Sequence, residues 1–159
     1  MKLVTIVFLL TWSFGNSLLV AQNENESTAI KWLTFEEAMA LNEKEPKQLF
    51  IDVYTDWCGW CKKMDASTFQ EKKVIDFLSN DYYCVKLNAE QQEDIVFNEK
   101  TYKFIPQQKR GFHEIAAMLL DGNMSYPSFV ILAPNLKRLE VIKGYMDKNQ
   151  LISKLKSHR

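Results

Sequence analysis

This chain of 159 residues contains little cysteine and has no excess of charge of either sign. Three cysteines are too few for a disulfide scaffold, and one is left over if two of them pair. The 20 basic and 20 acidic residues cancel, so we expect no nucleic-acid partner and no attraction to an anionic membrane surface. Internal repeats and low-complexity segments are also absent. What remains is a chain long enough for one globular domain with a hydrophobic core.

The first 21 residues differ sharply from those that follow. Lys2 is their only charge, residues 3–20 are rich in Leu, Val, Ile and Phe, and the small residue Ala21 comes next. This pattern is typical of a secretory signal peptide, so we expect residues 1–21 to be cleaved and the domain to be exported to the periplasm or the cell exterior. The alternative is an uncleaved membrane anchor, because 18 residues just suffice to span a bilayer. The domain would then be membrane-anchored outside the cytoplasm.

The remaining sequence predicts a polar tether over residues 22–30 and one folded domain over residues 31–159. Capping signatures mark predicted helix starts at Thr34 and Asp147. This order of elements indicates an α/β fold, a mixed sheet with helices on both faces. The predicted strands cover residues 48–55, 82–87, 128–132 and 138–142. Four further helices are predicted: one over 58–68, one that starts at Thr68, one over 93–104 and one over 112–120.

The segment Trp57–Lys62, with the sequence WCGWCK, follows a predicted strand and opens a predicted helix. At a helix start, free N–H groups and the helix dipole favour a thiolate at Cys58. Cys61 lies one turn further on the same side, close enough to form a disulfide with Cys58. This arrangement permits Cys58 to attack through a mixed disulfide and Cys61 to resolve it.

Other interpretations of the cysteine pair stay open. A structural disulfide is one, although a loop this short constrains the unfolded chain little. A zinc site is another, but it needs four ligands and only His113 and His158 could join the pair. Haem attachment would need histidine where Lys62 stands. In other functional classes, the domain is a redox-inactive binding module, or its dithiol binds a soft cation such as Cu(I). We expect no metal and no cofactor beyond the redox-active disulfide.

The segment Ile51–Lys62, IDVYTDWCGWCK, resembles the active-site strand and helix of the thioredoxin superfamily. The resemblance extends over roughly residues 32–156 and is strongest to exported thioredoxin-like proteins. It implies a thioredoxin-like fold, with a central mixed β-sheet flanked by helices. It also implies that Cys58 is the attacking thiol, Cys61 the resolving thiol and Trp57 a flanking surface aromatic.

The resemblance also implies roles for two charged residues. Asp52, six residues before Cys58, matches the family's buried carboxylate beneath the dithiol, and Lys86 matches the lysine that approaches it. A buried carboxylate is costly unless it is paired or protonated, and a partner lysine reduces that cost. The pair could then take and return the proton of Cys61. The alternative is an ion pair that only holds two strands together.

The resemblance also supplies the expected client-binding residues. Tyr126 and Pro127 precede a predicted strand and match the family's cis-proline loop, which faces the dithiol. There the Tyr126 backbone would pair with an extended client segment as an added strand. The full set that we expect to contact clients is Trp57, Gly59, Trp60, Tyr126 and Pro127.

Three features depart from the common thioredoxin pattern. Trp60 stands where thioredoxin has proline, and Cys84 is expected to be a buried, inert thiol. Residues 91–125 form a long insert before the cis-proline loop, predicted to be helical. Its apolar residues either shape a client surface or add to the core: Phe104, Ile105, Phe112, Met118 and Leu119.

These observations predict an extracytoplasmic thiol–disulfide oxidoreductase that acts on protein disulfides. No histidine lies between Cys58 and Cys61 to favour the thiolate strongly, so a reductase or isomerase is favoured over an oxidase. Its expected partners are client proteins with disulfides or thiols and a redox partner that resets the dithiol. A membrane contact is expected only if the N-terminal segment is uncleaved.

Overall fold

A computed structural model describes residues 27–158 of the chain. The predicted signal peptide or anchor and the tether residues before 27 lie outside the described residues. Within that range the strands are β1 (Trp32–Leu33), β2 (Gln48–Tyr54), β3 (Tyr82–Asn88), β4 (Ile95–Phe97), β5 (Lys100–Tyr102), β6 (Phe104–Ile105), β7 (Phe112–His113), β8 (Ser128–Leu132) and β9 (Arg138–Lys143). The helices are α1 (Phe35–Lys44), α2 (Gly59–Ala66), α3 (Lys72–Asp81), α4 (Glu114–Leu119) and α5 (Lys148–Lys156).

The central sheet has the strand order β1-β3-β2-β8-β9. Strand β2 runs parallel to β3 and antiparallel to β8, so the sheet is mixed. Side chains alternate along β2. Leu49 and Ile51 pack with residues of α1 and α4 on one face, whereas Phe50 packs with residues of α2, α3 and α5 on the other. The predicted thioredoxin-like α/β fold is confirmed.

Two predicted capping boxes are confirmed, and the helix start predicted at Thr68 is wrong. Thr34 and Asp147 each form both hydrogen bonds of a capping box, at the starts of α1 and α5. The helix predicted to start at Thr68 instead starts at Lys72, after a short 3-10 turn over Thr68–Gln70. The buried Thr68 hydroxyl donates to the Met146 carbonyl oxygen at 2.7 Å. The Thr68 hydroxyl therefore forms a tertiary hydrogen bond and does not cap a helix.

The insert at residues 91–125 is not the pair of helices that the sequence predicts. The predicted helix over 93–104 is replaced by the β4–β5 hairpin and by β6, which pairs with β7. Asn98 and Glu99 both have positive φ, 50° and 60°, at the tip of the first hairpin. A two-residue turn with positive φ matches the twist of paired strands, so the chain doubles back there. Only α4 is helical, and it starts two residues later than predicted.

The predicted tether ends inside the folded domain. Ile30, its last residue, is buried and packs in the core cluster that contains Phe50 and Met64. The packed domain therefore includes at least one residue before the predicted boundary at 31. Among residues 27–158, no helix is both long enough and apolar enough to cross a bilayer.

Candidate active site

The two cysteines of the WCGWCK segment form a disulfide at the start of α2. Cys58 is the N-cap residue, as predicted, and its Sγ accepts a hydrogen bond from the Cys61 N–H at 3.1 Å. Strand β2 leads to this point, and the Cys58 N–H closes a turn on the Thr55 carbonyl oxygen. Both cysteines are buried, with exposures of 5% and 2%. A helix N-terminus favours negative charge, so it would stabilise Cys58 as a thiolate once the disulfide is reduced.

Asp52 and Lys86 pair on the face of the sheet that α2 covers. They lie opposite each other in β2 and β3, and Lys86 Nζ is 2.8 Å from Asp52 Oδ2. Lys86 also contacts Asp65 Oδ1 in α2. Because Asp65 comes four residues after Cys61, the two share one side of the helix. The ion pair therefore lies against the same side of α2 as Cys61.

Asp65 is a site residue that the sequence reasoning missed. Its spacing from Cys61 was the available signal, since residues four apart in a helix lie on one face. That spacing did not reveal that Lys86 would reach α2 from another strand. The resulting cluster has two carboxylates around one ammonium group.

Aromatic rings surround the Lys86 ammonium group. Its Nζ lies 5.1 Å from the ring centre of Trp32, 4.9 Å from Tyr54 and 5.6 Å from Phe69. Burial lowers the pKa of Lys86, but the Asp52 and Asp65 carboxylates outweigh it, so the pKa lies above its ordinary value. Lys86 is therefore a fixed positive charge throughout the neutral pH range.

The pKa of Asp52 is strongly shifted in this cluster. Burial raises its pKa from 3.8 to about 6, although Lys86 acts in the opposite direction. The residue is 1% exposed, and its Oδ1 atom has no hydrogen-bond partner among residues 27–158. Asp52 can therefore bind or release a proton close to neutral pH, and it has an oxygen atom free to do so.

Of the predicted client-binding residues, Trp57, Gly59 and Trp60 are exposed, whereas Tyr126 is half-buried and Pro127 is buried. Trp57 and Trp60 are 49% and 56% exposed. The Trp57 ring meets the Tyr126 ring edge-on, with 5.8 Å between ring centres. The peptide bond between Tyr126 and Pro127 is cis. An added Cβ at Gly59 would have no neighbour within 4 Å, so that residue is open to an approaching chain.

The insert also reaches the outer side of the disulfide through Arg110, a residue that the sequence analysis did not single out. Arg110 stacks on the Trp57 ring, with 4.3 Å from its guanidinium carbon to the ring centre. Glu90 accepts a hydrogen bond from the Trp57 indole N–H at 3.0 Å. On the other flank, Trp60 packs against Tyr145 with 5.3 Å between ring centres. Arg110, a charged residue of the insert, thus contacts the active-site segment.

Cys84 is buried, as predicted, with 3% exposure. Burial raises its pKa from 9.0 to about 12, so the thiol is protonated at neutral pH. Its Sγ is 3.8 Å from the Leu78 carbonyl oxygen. Within residues 27–158, the structure places no three His, Cys, Asp or Glu side chains together in a metal-binding cluster.

Sequence and structure comparisons agree with this geometry. The thiol:disulfide interchange protein DsbD of Pseudoalteromonas atlantica is 29% identical over 110 residues, covering 64% of this chain and 18% of that protein. The DsbH oxidoreductase superposes over 90% of this chain and 93% of its own, with TM-score 0.60 and 18% identity. The C-terminal domain of Neisseria meningitidis DsbD in the reduced form covers 78% of this chain and 93% of its own, with TM-score 0.52 and 19% identity.

The two solved structures show the fold, and the chain corresponds to less than a fifth of the length of the DsbD relative. A family profile described as a thioredoxin-like domain matches residues 35–159, which is most of the chain. That range contains the disulfide, the ion pair beneath it and the Tyr126–Pro127 loop. The chain therefore belongs to the thioredoxin-like domain family.

Proposed function

We propose that this protein is a thiol–disulfide oxidoreductase that acts on protein disulfides outside the cytoplasm, as a reductase or isomerase. The observation that carries the proposal is the Cys58–Cys61 disulfide at the start of α2, with the titrating Asp52 on the covered face beside it. A purely structural disulfide needs no titrating carboxylate on that face. The names of the relatives, an interchange protein and an oxidoreductase, support the same chemistry.

In the reducing direction the reduced protein attacks first through Cys58. Its thiolate forms a bond to one sulfur of the client disulfide, the client S–S bond breaks, and the second client sulfur leaves as a thiolate that takes up a proton. Cys61 then loses its proton and attacks the Cys58 sulfur, and the client sulfur bonded to Cys58 leaves as a thiolate that takes up the second proton. The client gains two electrons and two protons, and the protein becomes the disulfide that the structure shows. A dithiol partner reverses this change for the next cycle.

Asp52 and Lys86 act on the second step. We assign to Asp52 the proton that Cys61 must lose, because the pKa of Asp52 is about 6 and one of its oxygens is unpartnered among the described residues. Lys86 holds the ionised carboxylate in place and remains charged while the proton moves. Proton transfer by a positioned group of suitable pKa typically accelerates such a step substantially.

The client approaches from the exposed side of the disulfide. Trp57 and Trp60 offer aromatic surface, Gly59 leaves room above α2, and the Tyr126–Pro127 loop borders Trp57. An extended client segment could add its backbone beside Tyr126, as strands add to sheet edges. These five residues form the proposed client-binding set. Export, by a cleaved signal peptide or an uncleaved anchor, follows from the apolar N-terminal segment and remains part of the proposal.

Single cysteine replacements test the function directly. In a C61S variant, Cys58 should attack but not be released, so mixed disulfides with a protein substrate such as insulin should accumulate on non-reducing gels. In C58S they should be absent. Redox titration of the wild-type pair against glutathione then gives the potential, and a strongly oxidising value would reject the reductase direction. Equal trapping by both variants, or trapping by neither, would contradict the assigned roles.

A further inference from the structure

Each exposed tryptophan beside the disulfide has a cation stacked on its ring. Arg110 covers Trp57, with 4.3 Å from its guanidinium carbon to the ring centre, and Lys63 of α2 covers Trp60, with Nζ at 4.9 Å. Cations are attracted to aromatic faces, so both side chains are held near these positions. A cationic side chain therefore flanks the disulfide on each of two sides, and one of them, Arg110, has the Glu90 carboxylate as a long-range ionic partner.

Arg110 lies in the loop that connects β6 to β7, and this loop packs closely against the hairpin that the two strands form. Residues 106–111 connect β6 to β7, and residues 106–110 are exposed. At Gly111 an added Cβ would lie 2.1 Å from the Phe104 ring and 2.5 Å from the Ile105 carbonyl oxygen. Only glycine permits that close approach, which anchors the loop immediately after Arg110. The position of Arg110 over Trp57 is therefore built into the hairpin.

Stacking leaves the hydrogen-bond donors of Arg110 available. The guanidinium group stacks through its flat face, while its N–H groups point outward in the plane. The Arg110 Nη1 atom forms a long ion pair with Glu90 Oε2 at 4.0 Å, a contact beyond hydrogen-bond distance. Glu90 instead accepts the Trp57 indole N–H through its other oxygen. The Arg110 N–H edge can therefore bind a carboxylate from another molecule without displacing the stack.

We propose that Arg110 and Lys63 form an electropositive rim that selects acidic client segments, with carboxylate side chains next to the cysteine that Cys58 attacks. The inference rests on the proposed function and names the kind of client that the same site prefers. Complementary charge at the edge of an interface accelerates encounter and discriminates among partners more than it adds affinity. The rim therefore controls which disulfides are attacked, while the cysteines carry the chemistry.

Disulfide-linked peptide dimers test this selection. Three short peptides share one sequence around a single cysteine and differ only in the flanking residues, which are Asp, Asn or Lys. Each is reduced by the reduced wild-type protein, and the second-order rate is measured by acid quenching and chromatography. Each rate is divided by the rate with dithiothreitol, a neutral dithiol, which removes the intrinsic effect of flanking charge. We expect the Asp peptide to react about five-fold faster than the Asn peptide, and the Lys peptide to be slowest.

Charge-matched variants assign the preference to the rim. R110Q should reduce the Asp-to-Asn preference to about two-fold, and R110Q/K63Q should abolish it. Lys109 precedes Arg110 in the same exposed loop, and within the described residues it is not stacked on a tryptophan. K109Q removes the same charge and should keep the preference. Raising salt from about 20 mM to about 300 mM should weaken the wild-type preference, because exposed charges are screened.

The outcomes separate this inference from the proposed function. If wild-type protein reduces all three peptides with equal normalised rates, or if K109Q loses as much preference as R110Q, the rim is not selective and the inference is overturned. The thiol–disulfide exchange then still stands. If wild-type protein reduces none of the peptides, the proposed function fails, and the inference fails with it.

Discussion

The two sides of the disulfide use charge in opposite ways. On the inner side, Asp52 is 1% exposed and is held by Lys86 against the sheet. On the outer side, Arg110 and Lys63 lie in solvent on tryptophan faces. A buried charge is costly and strongly coupled to its neighbours, whereas an exposed one is screened by water and salt. The inner side is therefore suited to holding a proton, and the outer side to sorting clients.

The two sides of the disulfide should therefore respond differently to substitution. Changes on the inner side should alter the pH dependence of exchange with every client. Changes on the outer side should alter the preference among clients and leave the pH dependence alone. The three predictions below test whether the two sides are separable in this way.

The largest effect is expected for D52N on the release step. Without a proton acceptor, attack by Cys61 on the mixed disulfide should slow by about 100-fold at pH 7, and the first attack by Cys58 should slow much less. Rapid-quench measurement of mixed-disulfide decay gives both rates. In the wild type, the release rate should rise as Asp52 ionises near its pKa of about 6.

D56N is the matched control for this experiment. Asp56 is exposed, and its Oδ2 atom accepts a hydrogen bond from Asn88. D56N therefore removes a nearby surface carboxylate but not the buried one. Its release rate should stay close to that of the wild type. If D52N and wild-type turnover are the same between about pH 6 and about pH 8, Asp52 and Lys86 have only structural roles.

The same D52N variant should be more stable than the wild type above pH 6. Because the pKa of Asp52 is raised from 3.8 to about 6, the folded protein keeps a proton that the unfolded chain releases between those pH values. The wild-type unfolding free energy therefore falls as pH rises through this window, by up to about 3 kcal/mol, because deprotonation favours the unfolded chain. Urea unfolding at a series of pH values measures the difference. A stability gain that is independent of pH would contradict the raised pKa.

A smaller effect is expected on the outer side, for W57A. Its ring contacts Tyr126 and supports Arg110, so its loss should slow exchange with a peptide disulfide by about ten-fold. Exchange with a small disulfide, which covers less of this surface, should slow less. The pH at which the release rate is half maximal should not move. If W57A shifts that midpoint, the inner and outer sides are coupled and do not act separately.

Much of the fold and the centre of the site could be predicted because their signals are local. The capping boxes at Thr34 and Asp147 depend on residues three positions apart. The strand β8 was predicted over the residues that form it, because it is a continuous apolar run. The prediction for the insert failed because the pairing of its strands is not a local property. Its periodicity over 93–104 suits a helix, but the turn at Asn98 and Glu99 and the pairing of β6 with β7 decide otherwise.

The sequence by itself determined the cysteine pair at a helix start, since the spacing of Cys58 and Cys61 and the strand before them are local properties. It also marked Asp52 as an unexpected carboxylate in an apolar strand. Only the tertiary structure decided that Lys86 lies between Asp52 and Asp65, and that Arg110 from the insert lies on Trp57. Those contacts join residues distant in the chain, and their energies depend on burial, which local patterns specify only in part.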